Sequence, residues 1–302
     1  MPVFTFPGQG SQFPGMGADF FDEFPDLMRQ ADEVLGYSIR QLCTESGGAR
    51  LRRTRFAQPA IYTVNVLAYL RFQRETGLRP SYLLGHSLGE YCALFAAGAF
   101  DFATGLRLVA LRGELMGEAD GGAMAAVIGL TAEQVRQAID DWAGGGIWVA
   151  NLNAPNQVVI SGHADQVRAA RDHFLAAGAD RYVPLPVSGA FHSPLMSAAQ
   201  ARYEQILART AIGVPQIPVV ANLTGRPHAA GGVWASLAAC GRRWRRAGVA
   251  GGSDLRHRPM DRQHPAAAPA RRNPVHRDRR AAGTHPDDHP DCRAHHVMVR
   301  TM

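Results

Sequence analysis

The chain has 302 residues, 46% of them apolar, enough for one large domain or for a domain carrying a smaller inserted one. No apolar stretch is long and unbroken enough to span a membrane, and the start, Val3-Phe4-Thr5-Phe6, reads as a strand rather than a leader, so neither a membrane protein nor a signal peptide is expected. The formal charge of +6 is uneven: residues 235–302 hold 14 Arg against 6 Asp and no Glu, residues 1–234 hold 18 Arg against 20 acidic residues, and lysine is absent.

The first strand runs into a glycine-rich loop, Pro7-Gly8-Gln9-Gly10-Ser11-Gln12. It lacks the Gly-Lys-Ser/Thr ending of a phosphate-binding loop, so its use is to bring an amide or a backbone N–H beside another loop, or simply to turn the chain. Residues 19–42 read as an amphipathic helical region and residues 58–76 as a second helix ended by Gly77. Ser81-Tyr82-Leu83-Leu84 reads as a buried strand, and Tyr91 to Ala97 as a small-residue helix. Between them lies Gly85-His86-Ser87-Leu88-Gly89-Glu90.

Gly-x-Ser-x-Gly between a strand and a helix forms a nucleophile elbow, whose glycines allow a turn too tight for a Cβ. The turn lifts Ser87 to the end of the sheet, beside the free N–H groups of a helix N-terminus. The same pentamer also occurs as an ordinary glycine-rich turn; the flanking strand and helix single this one out.

Residues 102–118 follow as a helix with Arg107 and Arg112. Arg107 reads as a solvated charge. Arg112 precedes Gly113, which permits close packing, and an arginine turned inward needs an anion. Strand 123–130, a helix capped by Thr131, a hairpin of 147–153 and 157–162, a helix over 164–177 and strand 181–185 give the order β-α-β-β-α-β, that of a ferredoxin-like unit. His192 follows on a loop before a helix over 196–209, and a lone histidine is by itself an ordinary structural residue. Residues 218–224 read as a strand. The four cysteines, Cys43, Cys92, Cys240 and Cys292, lack metal-ligand spacing, so no metal site is expected and a reduced, cytoplasmic protein is the default.

Together the segments Phe6 to Gln12, Gln58-Pro59-Ala60, Gly85 to Glu90, Leu111-Arg112-Gly113, Asn153 to Gly162, Gly189-Ala190-Phe191-His192-Ser193 and Ala221 to Gly225 resemble the malonyl-CoA:acyl-carrier-protein transacylases and the acyltransferase domains of polyketide synthases. Residues 85–116 look most like the discrete, trans-acting polyketide synthase acyltransferases. The resemblance covers residues 1 to about 228. It implies an α/β-hydrolase-like large domain with a parallel sheet (1–122 and 188–234) and an inserted ferredoxin-like subdomain (123–187). It also implies a malonyl transfer from malonyl-CoA to the phosphopantetheine thiol of an acyl carrier protein, in polyketide or fatty-acid biosynthesis, by a monomer without a bound cofactor.

The resemblance further implies roles. Ser87 is the nucleophile and His192 its base, later its acid. The N–H groups of Gln9 and Leu88 form the oxyanion hole, and Arg112 binds the malonyl carboxylate. His86 supports the turn or, with Phe191 and Asn153, lines the pocket; Asn153 and Gln157 serve equally well as hairpin-stabilising residues. Ala190-Phe191-His192 and Leu88 match the malonyl-selecting pattern.

Beyond about residue 228 the family's pattern is lost. Residues 235–302 are rich in Arg, Ala, Pro and His without period, as in a disordered tail. The family instead carries Val-Arg-Trp, then a last strand and glycine turn whose backbone carbonyl orients the catalytic histidine. A reading-frame shift explains the loss. Read one base later, Met260 before Asp261 must give tryptophan, and Ser253 to His264 can spell a segment containing Val-Arg-Trp.

Two other readings compete. An acyl hydrolase acting on carrier proteins would use the same Ser87 and His192 but usually lacks the arginine. An inactive, truncated protein with a basic arm, such as Arg242-Arg243-Trp244-Arg245-Arg246, would bind nucleic acid. The nucleotide sequence across codons 227–302 is expected to show an alternative frame spelling Val-Arg-Trp, with the shift between about residues 229 and 249; a coding strand that cannot spell it sinks the frame-shift explanation.

Overall fold

Short apolar runs bounded by glycine and proline become strands in the computed structural model, which describes residues 2–44, 48–228, 232–238 and 296–298. In chain order, β1 (Val3–Phe6) is followed by a 3₁₀ turn at Phe21–Glu23 and by α1 (Pro25–Leu35), α2 (Ile39–Thr44) and α3 (Thr54–Thr76). β2 (Tyr82–Gly85) leads through the elbow into α4 (Gly89–Ala96) and α5 (Phe102–Gly117). Then come β3 (Gly122–Ile128), α6 (Ala132–Asp140), β4 (Ile147–Ala154), β5 (Gln157–His163), α7 (Ala164–Ala169), α8 (Arg171–Ala176) and β6 (Arg181–Pro184). The chain ends with a 3₁₀ turn at Pro194–Met196, α9 (Ser197–Leu207), β7 (Val219–Val220), α10 (Val233–Leu237) and β8 (His296–Met298).

Two sheets result. The first is parallel, in the order β7-β2-β1-β8. The second is antiparallel, in the order β4-β5-β3-β6, which for β-α-β-β-α-β connectivity is the ferredoxin-like arrangement. Its central strands β3 and β5 are buried on both faces and read as nearly continuous apolar runs. Ala125 and Val127 of β3, with Val158 and Ile160 of β5, pack under the helices of that unit. The alternate residues Met124, Ala126 and Val159 face the other way, onto Met116, Phe191 and Met196. That second face seats the site.

Local signals explain most element ends. Gly36, at φ 73°, stops α1, so the helical region expected over 19–42 is divided. Asp101 Oδ1 caps α5 through Thr104 N at 2.7 Å, and Thr131 with Gln134 forms a reciprocal cap at α6. Three expectations need correction. The helix expected over 164–177 divides at Ala170, where ψ opens to −5°. The strand expected over 218–224 is only Val219–Val220, because the chain turns back at once: Ala221 N bonds Arg226 O and Gly225 N bonds Ala221 O, each at 2.9 Å. And residues 296–298, which the sequence leaves in a structureless tail, form a strand beside β1. Apart from residues 235–238, at the end of α10, the remainder of the tail, with the segment invoked for a frame shift, lies outside the described residues.

β1 shows how the larger core holds together. Phe4 and Phe6 alternate with Val3 and Thr5 and turn onto α3, where Phe4 meets Tyr69 and Phe72 edge-on at centroid distances of 6.3 and 5.3 Å. Phe4→Ala is expected to cost about 3–5 kcal/mol, as for other fully buried aromatics cut to alanine, read from the urea midpoint at unchanged slope.

Candidate active site

The elbow is built by close approach. A Cβ on Gly85 would lie 1.9 Å from the Gly89 carbonyl carbon, and one on Gly89 would lie 2.1 Å from Phe6 O. His86 N donates to Phe6 O at 3.0 Å, tying the turn to the end of β1. Ser87 at its tip has φ 51°, and His192 has φ 59°; among the described residues they alone, apart from glycines, take a positive φ. Two side chains held in so rarely used a conformation mark a site where placement outweighs backbone comfort.

Ser87 Oγ lies 3.0 Å from His192 Nε2 and 2.8 Å from Arg112 Nη2. An imidazole nitrogen facing the hydroxyl can take its proton, and a guanidinium beside the oxygen favours the alkoxide that results. Arg112 is 4% exposed, so it points inward. Its Nη1 donates to Gln58 Oε1 at 2.8 Å, and its Cζ stands 5.8 Å from the centre of the Tyr91 ring. Gln58 is itself fixed, donating to Gln9 Oε1 at 3.4 Å, while Gln9 Nε2 donates to Thr54 Oγ1 at 3.2 Å. The arginine on α5, the amide on α3 and the loop after β1 thus form one chain of contacts.

The N–H groups of Gln9 and Leu88 donate to no backbone or side-chain acceptor among the described residues. The N–H of Ser87 is different: it donates to Asn222 Oδ1 at 2.9 Å. Phe191 is buried under the site, 5% exposed. His86, expected to support the turn or line a pocket, is exposed, and its Nε2 lies 3.0 Å from Asn153 Oδ1, linking the elbow to β4. Arg107 is exposed, as a solvated charge should be. The stretch in which the sequence loses the family's histidine-orienting segment lies outside the described residues.

Sequence reasoning assigned no role to Gln58, Thr54, Glu90, Asn222 or His228. One signal was available: Gln58 and Asn65 are polar residues inside an otherwise apolar helical run, and both prove buried. No cluster of three His, Cys, Asp or Glu side chains arranged to hold a metal occurs among the described residues.

A Gly-x-Ser-x-Gly elbow on a parallel sheet, its serine in contact with a histidine and a buried arginine, in a chain that also carries a ferredoxin-like sheet, has the form of an α/β acyl-transfer protein. The chain belongs to the acyl transferase domain family, which it matches over residues 3–243, farther than the motifs up to about residue 228 suggested. It is 50% identical over 239 residues to the polyketide biosynthesis malonyl CoA-acyl carrier protein transacylase BaeC of Bacillus velezensis, covering 79% of this chain and 83% of that one. It is 54% identical over 230 residues to the polyketide biosynthesis protein ThaF of Burkholderia thailandensis, covering 76% of this chain but only 20% of that longer protein. The crystal structure of a malonyl CoA-acyl carrier protein transacylase from Burkholderia pseudomallei superposes with a TM-score of 0.77 at 46% identity, covering 81% of this chain and 85% of that one.

Cys43 and Cys92 do not compete with Ser87. Both are free and buried, and burial pushes each thiol up to about 12. At pH 8 only ~10⁻⁴ of either is then thiolate, so the folded protein is expected to leave both unlabelled by an alkylating reagent that modifies them quickly in urea. Mass spectrometry of labelled peptides checks this; rapid native labelling of Cys92 would show that its pocket is open.

Proposed function

We propose that this chain transfers a malonyl group from malonyl-CoA to the phosphopantetheine thiol of an acyl carrier protein, in polyketide or fatty-acid biosynthesis. Ser87 Oγ attacks the thioester carbonyl while His192 Nε2 takes its proton. The oxyanion is received by the N–H groups of Leu88 and Gln9, each such donor being worth about 10²–10³ in rate. The tetrahedral adduct collapses, the C–S bond breaks, and His192 returns the proton to the departing coenzyme A sulfur. The carrier thiol then enters, gives its proton to His192 and takes the malonyl group from Ser87 by the reverse steps. Every group this ping-pong cycle uses is a side chain or a backbone amide, so it needs no cofactor.

The observation that carries the reading is the convergence on Ser87 Oγ of a base at 3.0 Å and a buried arginine at 2.8 Å. A malonyl group esterified to Ser87 places its free carboxylate within a few bonds of that oxygen, inside the reach of a guanidinium braced by Gln58. A neutral acyl group has nothing to offer that cation. The names of the matched relatives support the same substrate and carrier. We take residues 1–122 and 188–234 as the large domain and 123–187 as the small one. We place the protein in the cytoplasm, where coenzyme A thioesters are made; among the described residues no helix is long and apolar enough to cross a membrane.

Arg112→Ala is expected to slow malonyl loading of a carrier protein by about 10- to 100-fold more than acetyl loading, the worth of a charge-assisted hydrogen bond to the malonyl carboxylate. Mass spectrometry of the carrier protein reads both. Equal malonyl loading by variant and wild type overturns the assignment, and release of free acid in place of carrier loading by the wild type points to the hydrolase reading.

A further inference from the structure

Beneath the elbow lies a polar cluster, with Glu90 buried and Asn222 half-buried, that the acyl-transfer steps do not touch. Asn222, in the turn after β7, reaches under the nucleophile: its Oδ1 accepts from Ser87 N at 2.9 Å and its Nδ2 donates to Gly85 O at 2.6 Å. It therefore grips the residue at the tip of the turn and the glycine two positions before it. The same Nδ2 donates to Glu90 Oε2 at 2.6 Å, and Asn222 N donates to that oxygen at 3.2 Å. Glu90 stands in the first turn of α4. Its other oxygen, Oε1, lies 2.8 Å from His228 Nε2, and the two side chains are 3% and 1% exposed.

The orientation of the Asn222 amide decides whether this arrangement works. An ionised carboxylate only accepts hydrogen bonds, and so does the Gly85 carbonyl, whereas the Ser87 N–H only donates. Reversing the amide would set donor against donor at Ser87 and acceptor against acceptor at both Gly85 and Glu90. Glu90 is buried and Asn222 half-buried, so each mismatch gives up a hydrogen bond that solvent can only partly replace. His228 holds the carboxylate from its far side, so Glu90 cannot swing away without leaving that partner.

We propose that Glu90, held by His228, fixes the amide of Asn222, and that Asn222 holds Ser87 in the left-handed conformation from which Oγ reaches His192; Glu90 and Asn222 are positioning residues for the nucleophile. This rests on Ser87 being the nucleophile, as read above. A second effect follows from the same bond. Because the Ser87 N–H is given to Asn222, it is not offered to the oxyanion, which leaves that task to Leu88 and Gln9.

The test is the single-turnover release of coenzyme A from malonyl-CoA, in which the rate constant reports the placement of Ser87 and the amplitude reports the folded fraction. Asn222→Ala is expected to lower the rate constant by about 10- to 100-fold, the scale of a nucleophile misplaced by about an ångström, with malonyl-CoA affinity unchanged. Glu90→Leu, which removes both acceptors, is expected to do the same. Glu90→Gln, which keeps one acceptor for Asn222, should recover most of the rate. The double variant Glu90→Leu/Asn222→Ala should be no slower than Asn222→Ala, because both act through one amide. Wild-type rate constants with reduced amplitudes, or additive losses in the double variant, overturn the proposal. Should Glu90→Leu fail to fold, Asn222→Ala and Glu90→Gln decide it, and a wild-type rate in Asn222→Ala is fatal. If Ser87→Ala still forms an acyl-enzyme, the nucleophile assignment and this inference fall together; if Ser87→Ala is silent while Asn222→Ala is fully fast, this inference falls alone.

Discussion

The chemistry at this site depends on a backbone that turns through a left-handed residue at Ser87. Such a conformation costs a non-glycine side chain on the order of 1–3 kcal/mol, so it persists only where the surroundings insist on it. Here they do so from three directions. The turn is pressed against the end of β1, with no room for a side chain at Gly85 or Gly89. His86 N is bonded to Phe6 O, and Asn222 holds Gly85 and Ser87 from below. The strands that supply these contacts owe their positions to the packing of Phe4 and Phe6 on α3, so core packing and nucleophile placement are one constraint seen at two depths.

Arg112 is the second constraint. Removing a cation from water costs several kcal/mol even after relaxation, and the protein offsets this with the Gln58 amide, the face of Tyr91 and the Ser87 hydroxyl. Gln58 is bound in turn to Gln9, in the loop after β1 whose N–H we propose as an oxyanion donor. The roles proposed for Arg112 and for the Gln9 loop are therefore linked by one chain of side-chain contacts. Tyr91 is also fixed from behind, its hydroxyl 2.8 Å from that of Tyr203 on α9. The arginine is thus built into the core, as the carboxylate-binding role proposed for it requires.

Much of this was legible in the residue pattern. Alternation and glycine spacing revealed the elbow, the β-α-β-β-α-β order of the smaller sheet and the cap at Thr131, because these depend on neighbours within a few positions. Pattern reading faltered where a distant partner decides. Residues 218–224 look like a strand, yet the ladder stops after Val220 because Asn222 turns its backbone N–H and its side chain toward Glu90 and the elbow. His86 could be read as support for the turn or as a pocket residue beside Asn153, and only the structure shows its ring 3.0 Å from Asn153 Oδ1 on the other sheet. Residues 296–298 carry no strand pattern that stands out from their surroundings, and only the open edge of β1 gives them a place.

By itself the sequence determined the local machinery: a serine on a glycine elbow, an arginine before a glycine on a helix, a histidine on a loop, and a small unit inserted between them. These are matters of short-range sterics and period, and they are written in consecutive residues. Only the tertiary structure decided that Ser87, His192 and Arg112, spread over more than a hundred residues, meet at one oxygen atom. It alone brought Gln58, Glu90, Asn222 and His228 into use. The reason is physical: a hydrogen bond between side chains depends on distances of about 3 Å that packing of whole elements sets, and no spacing along the chain encodes them.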